Sequence, residues 1–150
     1  MLPQLNLPSI QPRLQESDGK IWIFDGIRKK FVVLTPEEWV RQHFIHYLLA
    51  EKYPRSLVKV EGGLSVNELK RRSDITVYNR EGKPWMLVEC KNPLIAIDQN
   101  TLQQVGNYNT SVQAPFVVVT NGMKHFYFST NWETREVKQL DSLPAFDLKI

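Results

Sequence analysis

The chain has 150 residues, of which 42% are hydrophobic, and this is enough apolar material for one domain whose core needs no disulfide. Its single cysteine excludes an internal disulfide and a cysteine-rich zinc module, while its net charge of +3 permits nucleic-acid binding without requiring it. No segment has the ~18 apolar residues of a membrane span, and the first residues lack the pattern of a secretory signal. We therefore expect a cytoplasmic protein.

The first part of the chain is predicted to be an arm followed by a short strand. Residues 1–19 show no periodicity, and we expect them to form an N-terminal arm on the surface of a single domain, residues 20–150. Ile21–Phe24 is a strand candidate, and Asp25–Gly26 after it is a turn signal. A basic cluster, Arg28–Lys30, then leads into Phe31–Leu34.

The clearest helix start in the chain lies at Thr35, a good N-cap residue that is followed by a proline and two glutamates. The helix is expected to run to about Lys52 and to stop before Pro54. At 100° per residue, Glu37 falls on the apolar face of this helix and Glu38 is rotated away from it. We therefore predict that Glu37 is the inward-facing acid. The alternative is that both glutamates are there only because acids are favourable in the first turn of a helix.

A predicted β-hairpin over residues 74–91 carries the most informative polar residues of the chain. Antiparallel pairing of its strands places Asp74 opposite Glu89. Because side chains alternate between the faces of a strand, Glu89 and Lys91 then share the face of Asp74. Cys90, between them, is predicted to point into the core.

Two carboxylates and an ammonium group at the end of a sheet can hold a divalent cation and a water molecule. The oxygen ligands of Asp74 and Glu89 suit Mg²⁺ or Mn²⁺ better than zinc. The Glu-x-Lys spacing alone is not specific, because it occurs four times in the chain, and the alternative is an exposed strand end with a surface ion pair. His43 and His46 lie three residues apart on the predicted helix, but no third zinc ligand is evident, and we interpret them as surface or edge residues.

Three consecutive basic residues, Lys70, Arg71 and Arg72, come just before Asp74. A charge run of this kind is either a solvated surface or a site that neutralises the phosphates of a nucleic acid. The second interpretation makes DNA a candidate partner of this region.

The rest of the chain follows a strand–helix–strand pattern. A polar, helix-compatible stretch over about residues 98–109 separates the apolar strand that ends near Lys91 from a second apolar strand, Pro115–Thr120. Such a crossover makes its two strands parallel. A turn at Asn121–Gly122 and a strand at His125–Thr130 follow, and residues 131–150 are expected to form a mixed tail. The whole pattern predicts an α/β sandwich with a mixed central sheet flanked by helices.

Five short motifs occur in one order along roughly residues 20–130: Leu34–Gln42, Arg72–Ile75, Val88–Lys91, Gln104-x-x-x-Tyr108 and Thr120–Gly122. In this order and spacing they resemble the N-terminal nuclease domain of type I restriction enzyme R subunits, a member of the PD-(D/E)xK nuclease superfamily. The resemblance implies a restriction-endonuclease-like fold and a metal-dependent endonuclease that acts on DNA. The position before Asp74 differs from the family pattern, since it holds Ser73 rather than proline.

The resemblance also implies roles for the candidate residues. Asp74 and Glu89 would bind Mg²⁺ or Mn²⁺, and Lys91 would orient or activate the attacking water. Other restriction or DNA-processing subunits are implied as partners. The 150 residues contain no Gly-x-x-x-x-Gly-Lys-Ser/Thr loop, so we expect no ATP motor within them.

Three further residues receive roles only from the resemblance. Glu37 would be the acid of the first helix, and Gln104 and Tyr108 would brace the site and contact the DNA backbone. The alternative function is a nuclease-fold module that binds DNA or a protein partner without cutting.

Overall fold

The structure is a computed structural model, and it describes residues 2–60 and 74–149. The basic residues Lys70, Arg71 and Arg72 lie outside the described residues. Within the described ranges, no helix combines the length and apolar composition needed to cross a membrane.

The described residues form strands, two α-helices and one short 3₁₀ helix. In chain order these are β1 (Leu14–Ser17), β2 (Lys20–Asp25), β3 (Lys30–Val33), α1 (Pro36–Ala50), the 3₁₀ helix (Arg55–Leu57), β4 (Val58–Val60), β5 (Ile75–Tyr78), β6 (Pro84–Cys90), α2 (Gln99–Val112), β7 (Phe116–Thr120), β8 (His125–Asn131) and β9 (Glu136–Leu140).

The strands form two sheets. One has three antiparallel strands in the order β1-β2-β3, and the other has six strands in the order β4-β5-β6-β7-β8-β9. In the larger sheet β6 and β7 are parallel and the other neighbours are antiparallel. This mixed α/β architecture confirms the predicted fold class, and the parallel pair confirms the predicted crossover.

The register of the β5–β6 hairpin is the predicted one at its functional end. Ile75 pairs with Val88, so continuing the register by one residue places Asp74 opposite Glu89. At the other end of the hairpin a β-bulge shifts the register, so that Tyr78 pairs with Pro84. The bulge is confined to the turn side and leaves the alignment of the two acids unchanged.

Two apolar layers pack on the six-stranded sheet, one beneath each helix. The layer beneath α1 includes Val40, Phe44, Leu48, Ile75, Val77, Met86, Val88, Cys90 and Val118. The layer beneath α2 includes Leu87, Val105, Ala114, Val117 and Val119. Each fully buried aliphatic side chain stabilises the fold by about 1.5–3 kcal/mol, so both helices are held mainly by these layers.

Helix α1 begins as the sequence predicts. The Thr35 side chain accepts a hydrogen bond from the Glu38 amide at 3.0 Å, and Pro36 occupies the first turn. The helix ends at Ala50, two residues earlier than predicted, and the chain turns before Pro54. Buried residues occur around most of α1, because the six-stranded sheet covers one side and side chains of the β1–β3 unit contact another.

The segment before β1 is tied to the turn between β7 and β8. Leu5 is buried, the amide of Asn6 donates to the carbonyl of Gly122 at 2.8 Å, and the Trp39 indole donates to the carbonyl of Pro3 at 2.9 Å. Gly122 has φ +83°, and a Cβ there would lie 2.8 Å from a methyl carbon of Leu5. The turn therefore needs glycine both for its backbone conformation and for this close contact.

Two strands lie in segments predicted to lack them. β1 falls within the predicted arm, and β9 falls within the predicted mixed tail. Both are edge strands whose residues are almost all exposed. Exposed edges need no apolar alternation, so the pattern that reveals a half-buried strand is missing from their sequences.

Candidate active site

The predicted acids and lysine lie at adjoining ends of the neighbouring strands β5 and β6. Asp74 directly precedes β5, and Glu89 is the second-last residue of β6. Lys91 follows β6, and its amide donates to the carbonyl of Thr120 at the end of β7 at 2.8 Å. The lysine Nζ lies 3.7 Å from Oε1 of Glu89, and the lysine side chain is 32% exposed. This end of the sheet therefore carries two carboxylates and one water-accessible ammonium group.

The carboxylate of Asp74 is held by two donors. Its Oδ2 accepts from the backbone amide of Cys90 at 2.7 Å, and its Oδ1 accepts from a guanidinium nitrogen of Arg41 at 2.8 Å. Two carboxylate oxygens offer about four acceptor positions, so lone pairs remain on each oxygen. The side chain is fixed in orientation and can still bind another ligand.

Arg41 connects Asp74 to a buried ionic network. Its second terminal nitrogen donates to Oε1 of Glu38 at 2.6 Å, and that oxygen also accepts from Arg28 at 3.1 Å. The Arg28 Nε donates to Asp25 at 2.7 Å. The amide group of Gln42 donates to both Asp25 and Glu38, at 3.1 and 2.9 Å. The network therefore runs from the β2–β3 turn through α1 to the start of β5.

The network has clear electrostatic consequences for its members. Burial raises the pKa of Asp25, but hydrogen bonds and the positive charge of Arg28 lower it more, so the pKa lies below its usual value. Burial lowers the pKa of Arg41, yet the carboxylates of Glu38 and Asp74 outweigh this effect and raise it. Both groups are therefore charged at neutral pH.

The prediction that Glu37 faces inward is wrong. Glu38 is buried and bound to Arg41, whereas Glu37 is exposed. The prediction assumed one apolar face on α1, but the helix has a second buried side that carries Glu38, Gln42 and Ile45. The proposed catalytic role of Glu37 has no support from its position, and the first-helix acid joined to Asp74 through Arg41 is Glu38.

The interpretation of His43 as a surface or edge residue is also wrong. The ring is buried, its centroid lies 4.5 Å from that of Trp39, and its Nδ1 donates to the Trp39 carbonyl at 2.8 Å. Burial lowers the pKa of His43. The error again comes from assuming a single buried face, whereas buried residues occur around most of α1. His46 is exposed, as expected.

Cys90 points into the core, as predicted. Its side chain packs with the apolar layer beneath α1, and burial raises the pKa of the thiol well above its usual value. A buried, protonated thiol is neither a nucleophile nor a ligand for a hard cation. Its contribution to the site is the backbone amide that binds Asp74.

The two predicted residues of α2 differ in their surroundings. Tyr108 is partly buried and packs against the apolar layer that contains Val119, which pairs with Glu89. Gln104, one turn earlier, is exposed. The aromatic ring is thus part of the α2 layer, whereas the amide is presented to solvent.

The donor set can be compared with the needs of a hard cation. No group of three or more histidine, cysteine, aspartate or glutamate side chains that could hold a metal occurs among the residues that the structure describes. Mg²⁺ commonly uses only one or two carboxylates and takes its remaining ligands from water and substrate phosphate. Asp74, directly before β5, and Glu89, near the end of β6, are two hard oxygen donors at the same end of the hairpin. The pair therefore fits a cation that is completed by its substrate.

The sequence-based reasoning missed Arg41, which makes the closest side-chain contact to Asp74 in the described part of the chain. One signal was present: Arg41 follows Glu38 at the (i, i+3) spacing at which opposite charges pair on a helix. The contact with Asp74 spans 33 positions in sequence and follows only from the packing of α1 on the sheet.

Comparison with known proteins gives one positive finding and one negative finding. The family model described as the type I restriction enzyme R protein N terminus matches residues 36–144, more than half of the chain. The matched range contains Arg41, Asp74, Glu89 and Lys91. No curated protein sequence matches the chain.

Proposed function

The chain belongs to the family of the type I restriction enzyme R protein N terminus, and from this premise we propose that it is a metal-dependent endonuclease that hydrolyses DNA phosphodiester bonds. The observation that carries the proposal is the alignment of Asp74 with Glu89 at the same sheet end as Lys91. The family supports a nuclease module of the restriction type, and this alignment supplies the chemical groups that phosphodiester hydrolysis needs.

Each group has a task that follows from its chemistry. Asp74 and Glu89 would hold Mg²⁺ or Mn²⁺, and such a cation, when bound, supplies charge stabilisation for the phosphate and lowers the pKa of a bound water. The Asp74 carboxylate is oriented by Arg41 and by the Cys90 amide, so it needs little reorganisation.

Lys91 is the group that acts on the nucleophile or the phosphate. Its backbone is fixed to β7, while its side chain is long, partly exposed and within 3.7 Å of Glu89. An ammonium group in this position can donate hydrogen bonds to an attacking water and to a phosphate oxygen. Glu37, Gln104 and Tyr108 are not needed for these steps. Of the three, Tyr108 is the best placed to support the site from the α2 layer.

DNA is the proposed substrate, and other subunits of a restriction system are proposed partners in the cytoplasm. The sequence supplies a basic run, Lys70–Arg71–Arg72, next to Asp74. Binding through such residues releases counterions, so affinity for DNA is expected to fall steeply as salt rises. We further propose that the chain acts as one domain that includes β1 and that the residues before β1 serve as its N-terminal arm.

A second candidate function is favoured by one specific observation. Both oxygens of Asp74 already accept hydrogen bonds from the protein, as a purely structural carboxylate does. On this interpretation the chain is a non-catalytic module that keeps the nuclease fold and binds DNA or a protein partner.

A plasmid-nicking assay separates the two functions. Supercoiled DNA is incubated with the purified chain in Mg²⁺, in Mn²⁺ or in a chelator, and relaxed and linear products are measured. We expect cleavage only with metal, and a loss of about 10²-fold or more for Lys91→Ala. Asp74→Asn should abolish cleavage and also weaken Mn²⁺ binding, because it removes a charged oxygen ligand.

Lys138→Ala is the matched control. Lys138 shares the Glu-x-Lys spacing, with its Nζ 3.4 Å from Glu136, but it lies on the exposed edge strand β9. This variant should cleave like the wild type. Equal, metal-independent nicking by the wild type and Lys91→Ala would establish the non-catalytic alternative.

A further inference from the structure

Arg41 occupies the position from which a cation would act on Asp74. Its two terminal nitrogens bind Asp74 at 2.8 Å and Glu38 at 2.6 Å, and its side chain is only 12% exposed. The third nitrogen, Nε, is buried and has no hydrogen-bond partner among the described residues. A guanidinium held in this way keeps its charge close to the metal-binding carboxylate in the free protein.

The charge of Arg41 has two opposed effects on a divalent cation. It holds the Asp74 carboxylate in one orientation, which favours binding, and it repels a second positive charge at the same carboxylate. Two charges a few ångströms apart in a partly buried site interact strongly, whereas one extra rotamer restriction on an aspartate has a small effect. Repulsion therefore dominates over orientation.

We propose that Arg41 is a positioning residue that acts as a built-in counter-cation of Asp74 and sets a low affinity for divalent metal ions. This inference rests on the proposed function, because it takes Asp74 and Glu89 as the metal ligands. The guanidinium forms ion pairs with Asp74 and Glu38 while no metal is bound. A divalent cation must then share the Asp74 carboxylate with Arg41, so tight binding needs the additional negative charge of a DNA phosphate.

The test measures Ca²⁺ and Mn²⁺ affinity by calorimetry with the full chain and without DNA. Ca²⁺ is a suitable probe because it takes oxygen ligands. We expect Arg41→Gln to bind both ions about tenfold more tightly than the wild type, since one repelling charge is lost. Arg41→Lys, which keeps the charge, should stay within about threefold of the wild type. Arg135→Gln, at an exposed position, is the control and should not change affinity.

The outcomes separate this inference from the proposed function. Unchanged or weaker metal binding by Arg41→Gln overturns the role of Arg41. If Asp74→Asn binds the ions as tightly as the wild type, the assigned metal site is wrong and the proposed function fails with it. If Asp74→Asn weakens binding and Arg41→Gln does not strengthen it, only the inference about Arg41 fails.

A second measurement uses the wild type and does not depend on the folding of a variant. The Nε–Hε group of Arg41 is buried, so its NMR signal should be resolved, and it is assigned in the wild type by through-bond correlation with the rest of the Arg41 side chain. Addition of Ca²⁺ should shift this signal with the same midpoint as the calorimetric titration. A signal that stays constant through saturation overturns the proposal.

Discussion

The two sides of the candidate site are built in different ways. On the α1 side, the guanidinium groups of Arg28 and Arg41 bind carboxylates at 2.6–3.1 Å within a largely buried network. On the α2 side, Glu89 and Lys91 are 3.7 Å apart and the lysine is partly exposed. Glu89 is itself buried, with 11% of its side chain exposed, so the accessible group on this side is the ammonium group of Lys91. The α1 side is therefore a network of paired buried charges, and the α2 side presents one cationic group to water and to a phosphate.

The largest loss of stability on the α1 side is expected for a substitution of Asp25, and its absence would contradict the comparison. Asp25→Ala removes a completely buried carboxylate and leaves Arg28 without its closest partner. We expect a loss of about 3–5 kcal/mol in the free energy of unfolding, because an uncompensated charge remains buried. Urea unfolding followed by circular dichroism at pH 7 measures it. Glu136→Ala, in an exposed ion pair, should change stability by less than about 0.5 kcal/mol.

A second, smaller effect separates the two glutamates at the start of α1. Glu38→Gln keeps the size of a buried side chain but weakens its bonds to Arg28 and Arg41, so we expect a loss of about 1.5–3 kcal/mol. Glu37→Gln should cost no more than about 0.5 kcal/mol, since Glu37 is exposed. Equal losses in the two variants would mean that α1 is rotated relative to the orientation described above.

A third and smaller effect is expected in the pH dependence of the free energy of unfolding, which tests whether histidine rings on and near α1 are buried. Burial lowers the pKa of His43, which is buried, and of His125, which is partly buried. In the unfolded chain they bind protons near pH 6.5, so the unfolded state holds more protons just below that pH. The stabilising contribution of the neutral rings should therefore be fully present above pH 6.5. The free energy of unfolding should decline as the pH falls through the lowered histidine pKa values of the folded protein.

Thermal unfolding between pH 7.5 and 5 measures this decline. His43→Gln should make it shallower, because one buried titrating ring is removed. A melting temperature that is constant over this range would show that the rings keep their unfolded pKa values.

The smallest effect on stability is expected on the α2 side, at Gln104. The side chain is exposed, so Gln104→Ala should alter the free energy of unfolding by less than about 0.5 kcal/mol. Any fall in plasmid cleavage would then come from a contact made only with DNA or metal bound. Unchanged cleavage and unchanged stability together would remove Gln104 from the site.

The difference between the two sides also explains which features could be predicted from sequence. The β5–β6 hairpin is local, and strand alternation determines where Cys90 points, so the predicted register at Ile75 and the predicted burial of Cys90 are confirmed. The orientation of α1 depends on a second layer, the β1–β3 unit, whose contacts are distant in sequence. Glu38 was therefore assigned to the wrong side of the helix, and Arg41 was not recognised as a partner of Asp74.

The exposed edge strands were missed for a different reason. β1 and β9 bury little, so their sequences carry no alternation that distinguishes them from loops. Their positions are determined by hydrogen bonds to β2 and β8, which leave no signature in a polar sequence.

The contact between Arg28 and Glu38 has a practical consequence for how the domain is delimited. The family match begins at residue 36, yet Asp25 and Arg28 lie before it and complete the charge balance of α1. A recombinant fragment trimmed to the matched region would remove one of the two guanidinium partners of Glu38 and the layer that covers this side of α1. The fold therefore needs residues that lie before the start of the family match. Fragments for expression should retain β1–β3.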